Sequence, residues 1–346
     1  MDLIEAAPST IAGVQDLLAR ATASAHKVLV RGAGTHQGYG YAVEPDVTLS
    51  TARLNRILAW EPDDLTVVVE PGVAVSELEQ LLATKNQTAL LPEGDGPGTV
   101  GGVLAAGLSG YRRARYGPTR DRVLETTIVT GDGRVVRGGA RVVKNVTGYD
   151  LPRLVVGSFG SLGVIVSTCL KLWPRPRATA TVILDPATEV AVYRPLAVLE
   201  TPAETRIYLG GTPEEVEAQA RQLGGSKHDG LHWPAPIRDS YVWSLRVVPS
   251  HLPGTLRKLP DSTNYIAQVR VGEVTFGTGS PDGIVELRAW TEALGGSLIN
   301  ASRPDSDGDP IDPWGEPPST IDLQRRLISG FDPARVVNPG RLPGRI

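Results

Sequence analysis

The sequence predicts a two-domain protein of the α+β class, and three observations point to it. The length of 346 residues exceeds the roughly 100–200 residues of a typical domain. Helix and strand patterns are mixed and do not alternate strictly, which is typical of an α+β fold rather than of repeated βαβ units. The segment Trp173-Pro174-Arg175-Pro176 interrupts regular structure near the middle of the chain. We therefore expect one domain over residues 1–175, a second over 176–320, and a C-terminal helix and tail over 321–346.

The first domain opens with a helix followed by strands. Apolar residues at helical spacing predict a helix over 11–21, after Ser9 or Thr10 as the cap. The apolar run 27–31 predicts a strand, and further strands are predicted at 47–50 and 65–70.

Two turn and cap patterns complete this domain. Ser76 and Glu79 form a capping-box pattern, which predicts a helix that reaches Thr84. Two extended runs, 125–130 and 134–138, are joined through Gly131-Asp132-Gly133. Because Asp-Gly tolerates the positive φ angles of tight turns, these runs predict a β-hairpin.

The second domain is predicted to be a small sheet with helices on one face. Thr212 and Glu215 match a capping box, and Gly224 matches a helix end. Residues 302–320 are acidic and rich in Pro and Gly, which indicates a loop or linker. The other predicted strands and helices are strands 180–184, 205–209, 242–248 and 265–271, and helices 281–294 and 321–329.

Composition excludes several classes of function. The formal net charge is -3 and no long run of Lys and Arg occurs, so a nucleic-acid partner is not expected. One cysteine, Cys169, cannot supply a disulfide framework, an iron-sulfur cluster or a thiolate zinc site. The start 1–5 lacks the basic and apolar blocks of a signal peptide, and the uncharged stretch 154–170 is too short to span a bilayer. We expect a cytoplasmic protein that reaches the inner face of a membrane only through partner subunits.

Three glycine-rich segments are the strongest functional signal. The loop 32–40 carries four glycines after a strand, Gly101 and Gly102 open a small-residue helix, and 157–163 turns directly into a strand. Taken singly, each is equally consistent with a surface loop, close helix packing or a chain reversal. Together they are better explained by one phosphate-bearing cofactor, because backbone N–H groups of glycine loops and helix N-termini bind phosphate.

That cofactor site is not a Rossmann site. A Gly-x-Gly-x-x-Gly spacing occurs at Gly96, Gly98 and Gly101, but no strand precedes it and Pro97 lies inside it. The first loop does not match the fingerprint either, and no helical pattern follows it.

The sequence resembles the FAD-linked oxidases of the vanillyl-alcohol-oxidase type, and within them the FAD-binding subunits of bacterial glycolate oxidases. The resemblance is dense from about Val28 to Pro176, thin through the second domain, and returns at the tail. The segments that carry it are Arg31-Gly32-Ala33-Gly34-Thr35, 99–110, Arg112-Arg113, Tyr116-Gly117, Arg120-Asp121, 142–151, 157–165, Phe331-Asp332-Pro333 and Asn338-Pro339-Gly340-Arg341.

This resemblance implies a PCMH-type FAD-binding domain, a smaller ferredoxin-like α/β cap, and a tail that returns to the flavin. Residues 32–36 would give backbone amides to the FAD pyrophosphate, and Asn338 would lie near the flavin ring. Some relatives bond flavin covalently to a histidine at the place of His36, whereas close relatives bind FAD non-covalently, as we expect here. The implied cofactor-binding residues are Arg31, Gly32, Ala33, Gly34, Thr35, His36, Gly38, Thr99, Gly101, Gly102, Ser109, Gly110, Gly163, Val164, Ile165 and Asn338.

Catalytic residues are not evident, because the paired-histidine metal motif of related D-2-hydroxyacid dehydrogenases is missing. Arg112, Arg113 and Arg120 are the guanidinium groups available for a substrate carboxylate, although a surface ion pair is the default role of each. His228 and His232 are separated by Gly230 and followed by prolines, which argues against a metal-binding helix.

An acidic run in the linker is not a metal site either. Asp305, Asp307, Asp309 and Glu316 mimic the spacing of a calcium loop, but Pro310 stands where Gly is required. We therefore expect no bound metal.

Two functions remain open. In the first, the chain is the FAD-binding subunit of a glycolate oxidase-like complex, in which a small 2-hydroxy acid is oxidised and electrons pass to a partner iron-sulfur subunit. In the second, it is a non-catalytic FAD-carrying electron-transfer or scaffold subunit whose partner flavoprotein holds the substrate site. An independent oxidase that produces peroxide is a weaker alternative.

Overall fold

A computed structural model of the chain describes residues 4–94, 98–141, 149–189, 191–302, 304 and 311–346. The first domain contains three sheets. A parallel sheet has the order β1-β3-β2, an antiparallel sheet has the order β4-β5-β9-β7-β8, and β6 pairs with β10. The strands are β1 (Ile4–Ala6), β2 (Val28–Arg31), β3 (Val47–Ser50), β4 (Ile57–Glu61), β5 (Thr66–Val69), β6 (Gln87–Thr88), β7 (Val123–Val129), β8 (Val135–Gly139), β9 (Val164–Lys171) and β10 (Trp173–Pro174).

Helices cover both main sheets of this domain. Apolar residues of α1 pack on the parallel sheet, and those of α2 and α3 pack on the antiparallel sheet, so each helix buries one apolar face. The helices are α1 (Ile11–Ala23), α2 (Val75–Ala83), α3 (Val100–Ala106), α4 (Arg113–Tyr116) and α5 (Leu151–Val155), and a 3₁₀ turn spans Thr119–Arg122.

The second domain is one antiparallel sheet of eight strands, larger than the small sheet that the sequence predicts. Its order is β14-β11-β13-β12-β16-β17-β15-β18. Counted from its outer edge inward, each half has its fourth strand, then its first, third and second, and the halves join where β12 pairs with β16. The elements are β11 (Ala178–Leu184), β12 (Ala197–Glu200), β13 (Thr205–Gly211), α6 (Pro213–Leu223), β14 (Ser226–Asp229), β15 (Tyr241–Arg246), α7 (Leu252–Leu256), β16 (Tyr265–Gln268), β17 (Glu273–Thr278), α8 (Ile284–Ala293) and β18 (Ser297–Ser302).

The C-terminal segment lies on the first domain. Helix α9 (Ile321–Phe331) is followed by a tail in which Val337 forms a parallel bridge with Val28 of β2. Val336 and Val337 are buried in the core beneath α1. The last residues of the chain therefore complete the sheet that begins with its first strands.

One predicted capping box is confirmed and the other is wrong. Thr212 Oγ1 accepts from the Glu215 N–H at 3.3 Å, and Glu215 Oε2 accepts from the Thr212 N–H at 2.8 Å, which caps α6. Helix α2 instead begins after Ala74 without a side-chain cap. Glu79 accepts from the Thr88 hydroxyl at 2.8 Å and the Ala89 N–H at 2.9 Å, so its carboxylate fixes the chain beyond the helix.

Candidate functional site: a glycine-lined cleft and an arginine cavity

The three glycine-rich segments converge on one cleft of the first domain, here called the glycine cleft. It is open to solvent. The residues that line it come from the loop after β2, the start of α3, the turn before β9 and the C-terminal tail. They are Val30, Gly32, Ala33, Gly34, Thr35, His36, Gln37, Thr51, Pro71, Thr99, Gly101, Gly102, Ala105, Ala106, Phe159, Gly160, Gly163, Ile165, Asn338 and Arg341.

The loop after β2 supplies unbonded backbone donors to this cleft. Among the described residues, no acceptor is bonded to the N–H groups of residues 32–36. Gly34 adopts a φ of 82°, a left-handed conformation that glycine takes without strain. Since N–H groups facing a cavity favour an anion, this loop fits the diphosphate of a dinucleotide.

The sequence predicts free backbone N–H groups at the start of α3, but the structure shows these groups bonded within the protein. The Val100 N–H donates to Val73 O at 2.9 Å, and the Gly101 N–H donates to Pro71 O at 2.8 Å. The Gly102 N–H faces the Thr99 hydroxyl oxygen at 3.3 Å. These donors are already used, so the helix start shapes the cleft and does not supply its free amides.

The glycines of α3 matter because a side chain at either position would occupy space that the fold or the cleft needs. A Cβ on Gly101 would lie 2.4 Å from Pro71 Cβ, which is too close, so this glycine lets helix and loop pack. A Cβ on Gly102 would meet only the Thr99 hydroxyl, at 3.3 Å. Because Gly102 lines the cleft, a larger side chain there would fill ligand space.

Asn338 of the tail fastens two walls of the cleft together. Its Oδ1 accepts from the Val30 N–H at 2.9 Å, and its Nδ2 donates to Phe159 O at 2.8 Å. Its own N–H donates to Val28 O at 2.8 Å. The side chain is almost fully buried, so its polar atoms link β2 to the third glycine segment.

Arg341 holds the glycine loop from the same tail. Its guanidinium donates to Gln37 Oε1 at 2.6 Å, to His36 O at 3.0 Å and to Gln37 O at 3.1 Å. Its carbonyl accepts from the Trp314 indole at 2.9 Å. The tail therefore sets the position of the loop that carries the free amides.

His36 is a half-buried residue at the edge of the cleft. Burial, and then the positive charge of Arg341, lower the pKa of His36 below its ordinary value. Its Nε2 is buried and has no hydrogen-bond partner among the described residues. A neutral imidazole with an open ring nitrogen suits a polar ligand atom in the cleft.

Eleven of the sixteen predicted cofactor residues line the glycine cleft, and five do not. Those that line it are Gly32, Ala33, Gly34, Thr35, His36, Thr99, Gly101, Gly102, Gly163, Ile165 and Asn338. Ser109 lies in a neighbouring cavity. Arg31 turns outward to Glu5, with 3.3 Å between Nη2 and Oε1, and Val164 is buried in the core beneath α1.

Two predicted glycines pack against protein instead. A Cβ on Gly38 would lie 3.1 Å from Ser302 Cα, at the contact between the domains. A Cβ on Gly110 would lie 2.1 Å from a carboxylate oxygen of Glu93. Their small size serves packing at these positions.

A second cavity adjoins the glycine cleft at Ala106 and Phe159, which line both. It has three arginines in its wall: Arg113, Arg120 and Arg246. We call it the arginine cavity. Among the described residues that line it, none is a carboxylate or a histidine.

Two of these arginines belong to an ion-pair cluster that joins the domains. Glu273 lies 2.9 Å from Arg113 and 3.3 Å from Arg246, measured between nitrogen and oxygen atoms. Arg113 is in the first domain, whereas Glu273 and Arg246 are in the second. Arg246 was not predicted from the sequence, because no motif surrounds it and its role depends on domain contact.

Arg112 is separate from the arginine cavity. It forms an ion pair with Glu93, and both side chains are largely buried. Arg120 is exposed and lies on the 3₁₀ turn, with no ion-pair partner among the described residues. Of the three predicted carboxylate-binding arginines, two thus line one cavity.

The described residues contain no group of three or more potential metal ligands. His228 and His232 have ring centroids 6.0 Å apart, and His232 Nε2 is 2.8 Å from Asp229 O. The acidic residues Asp305, Asp307 and Asp309 lie outside the described residues, as does most of the predicted family segment 142–151.

Comparison with known proteins identifies the cofactor of the first domain. Residues 3–139 match the family described as FAD binding domain. This part of the chain is an FAD-binding domain. The free amides of 32–36, the space over Gly102 and the open nitrogen of His36 fit a dinucleotide, so FAD is the cofactor of this flavoprotein.

The chain is similar to subunits of glycolate oxidases. It is 29% identical to glycolate oxidase subunit GlcE of Escherichia coli (strain K12) over 83% of this chain and 84% of that protein. It is 34% identical to glycolate oxidase subunit GlcD of Bacillus subtilis (strain 168), over 46% of this chain and only 35% of that longer protein.

The fold of the chain is similar to that of solved structures. An alkyldihydroxyacetonephosphate synthase superposes with a TM-score of 0.68 at 14% identity, covering 97% of this chain and 75% of that one. At that identity the likeness concerns the fold alone. Within the described residues, no helix has both the length and the apolar character needed to cross a membrane.

Proposed function

We propose that this flavoprotein is the FAD-binding subunit of a glycolate oxidase-like D-2-hydroxyacid dehydrogenase complex. The observation that carries the proposal is that a cleft suited to FAD adjoins an arginine cavity, with Ala106 and Phe159 lining both. A carboxylate substrate held by guanidinium groups would lie next to the cofactor. The likeness to GlcE over most of both chains supports the same assignment.

The chain's own residues have distinct tasks in this proposal. The amides of 32–36 hold the diphosphate, Arg341 keeps that loop in place, and Asn338 bonds to β2 before the loop. FAD, when bound, supplies the hydride acceptor. A guanidinium of the arginine cavity pairs with the substrate carboxylate, because its planar fork matches that group. Binding is non-covalent, and we expect acid precipitation to release all flavin into the supernatant.

Partners follow from the redox chemistry. The chain has one cysteine, Cys169, which is buried, and burial raises its pKa to about 11. It therefore has too few thiolates to ligate an iron-sulfur cluster. Electrons that arrive at the flavin would pass to a separate iron-sulfur subunit, with a second flavoprotein subunit in the same complex. Contact with the inner face of the cell membrane would come through such partners.

A second function is favoured by one observation. The described lining of the arginine cavity offers no carboxylate or imidazole to take the hydroxyl proton of a substrate. In this alternative, the subunit carries FAD for electron transfer or assembly, and the partner flavoprotein holds the substrate site.

Anaerobic mixing separates the two functions. We expect glycolate or D-lactate to bleach the visible absorbance of the isolated FAD-loaded chain. Persistent flavin colour with both acids, together with bleaching once the partner flavoprotein is added, would instead support the carrier role. Co-purification with mass spectrometry identifies the partners, and recovery of the chain alone would contradict the complex.

A further inference from the structure

Phe159 lies where three concave sites meet. It lines the glycine cleft, the arginine cavity and a third site beside helix α9, here called the α9 pocket. Gly157 and Trp314 line both the arginine cavity and the α9 pocket. The rings of Phe159 and Trp314 contact each other edge to face, with centroids 5.2 Å apart. These two aromatic rings therefore lie at the boundary between the arginine cavity and the α9 pocket.

The α9 pocket is mainly apolar. Leu162, Ile328 and Leu342 are buried in its wall, and Leu154 packs against them. Among the described residues that line it, none carries a charged side chain, in contrast to the arginine cavity. Such a wall favours the burial of methylene groups and disfavours a charged group. The part of a ligand that suits this pocket is therefore an alkyl chain.

Phe159 is held at this boundary in a strained backbone conformation. Its φ is 51°, a left-handed value that is unfavourable for a bulky residue. Its N–H donates to Ala105 O at 2.8 Å, and its carbonyl oxygen accepts from Asn338 Nδ2 at 2.8 Å. Strain of this kind persists where the surroundings over-determine it, and it is common at ligand sites. Because both hydrogen bonds use backbone atoms, the side chain can be replaced without removing them.

We propose that Phe159 is a specificity residue that restricts the substrate to short 2-hydroxy acids. This inference rests on the proposed function. When the carboxylate of a longer acid pairs with a guanidinium of the arginine cavity, its alkyl chain has to pass the Phe159 ring to reach the α9 pocket. The ring closes that route, and a smaller side chain at this position opens it.

Acetate and hexanoate test the proposal, because each has one carboxylate, they differ by four methylene groups, and neither has a hydroxyl to oxidise. Each is titrated into the FAD-loaded protein and followed by ligand-observed NMR, which measures weak binding directly. In the parent protein, we expect the two affinities to agree within about threefold. In Phe159→Ala, we expect hexanoate to bind at least about tenfold more tightly than in the parent, and acetate affinity to change less than about twofold.

Three further variants sharpen the test. Phe159→Tyr keeps the ring and should bind both acids as the parent does. Phe159→Leu keeps an apolar wall for the glycine cleft, so it decides the question if Phe159→Ala loses FAD, and we expect a gain of about threefold for hexanoate. Leu323→Ala is the matched control, because it shortens an exposed side chain of α9 that lines none of the three sites, and it should change neither affinity.

Equal hexanoate affinity in the parent, Phe159→Ala and Phe159→Leu would overturn the proposal. A gain that persists in full when Arg113→Gln is added to Phe159→Ala would also overturn it, because hexanoate would then bind independently of the arginine cavity. Flavin bleaching reports separately on the proposed function. The hexanoate gain without bleaching by any 2-hydroxy acid contradicts the proposed function alone, whereas bleaching by glycolate or D-lactate without that gain contradicts the role of Phe159 alone.

Discussion

The glycine cleft and the arginine cavity share Ala106 and Phe159, but they are built in opposite ways. Backbone N–H groups and missing side chains form the cleft, and its described lining belongs to the first domain and the tail. Charged side chains from both domains form the polar wall of the cavity. Backbone sites tolerate little change at a few small residues, whereas side-chain sites can be altered residue by residue without loss of the fold.

The largest effect is expected at Gly102. Gly102→Val would project two methyl groups into the cleft, so we expect FAD affinity to fall about tenfold or more while the apoprotein stays folded. The measurement is the ratio of flavin to protein absorbance after gel filtration, with circular dichroism for folding.

Gly330→Val is the matched control, because it lies in α9 and a Cβ there meets nothing within 4 Å. It should leave FAD content unchanged. If Gly102→Val keeps full FAD content, the cleft is not the FAD site.

The next effect concerns the tail. Asn338→Ala leaves the Val30 N–H and the Phe159 carbonyl without their partner, a cost of about 1–3 kcal/mol for each buried unsatisfied group. We expect weaker FAD binding, measured by flavin fluorescence, and a lower Tm.

Asn338→Gly and Asn338→Asp separate the causes. The glycine variant relieves the positive φ of 46° at this position but also loses both hydrogen bonds, and the aspartate variant keeps the acceptor for Val30. If all three variants bind FAD with the affinity of the parent protein, the tail has no role in FAD binding.

A pH effect follows from His36. Because its pKa is lowered in the folded protein, acid protonates this residue in the unfolded chain first. Stability is therefore lost as the pH falls below the ordinary value of 6.5, by up to about 1.4 kcal/mol per pH unit. The Tm of the apoprotein, compared at about pH 7.5 and about pH 5.5, should fall more than that of His36→Gln. Parallel falls in the two proteins would show that His36 titrates as it does in the unfolded chain.

The smallest effect is expected in the arginine cavity. Arg113→Gln breaks a partly exposed ion pair and leaves Glu273 with Arg246, so we expect a stability loss below about 1 kcal/mol. FAD content should equal that of the parent. A clear loss of FAD in this variant would mean that the domain junction also shapes the glycine cleft, and the contrast between the two sites would fail.

The two sites also differ in how far they can be predicted from sequence. Glycine spacing after a strand is a local signal, so 32–36 could be found in the sequence. The prediction of free amides at the helix start near Gly101 was wrong, because the carbonyl groups of Pro71 and Val73, distant in sequence, accept from them. Arg246 could not be found, since its position in the cavity wall depends on contact between domains. The eight-stranded sheet exceeded the prediction because nothing local shows that β12 and β16 join two halves.

Asn338 bonds to β2 and Arg341 bonds to the loop that follows it, and these bonds have a consequence for the order of biosynthesis. The loop is translated early, but the residues that hold it in place are translated about three hundred positions later. A nascent chain lacks those bonds until residues 338–341 have been made, so we expect tight uptake of the flavin only after that point. A chain cut before residue 338 should therefore bind flavin weakly, although it contains the whole of the loop 32–36.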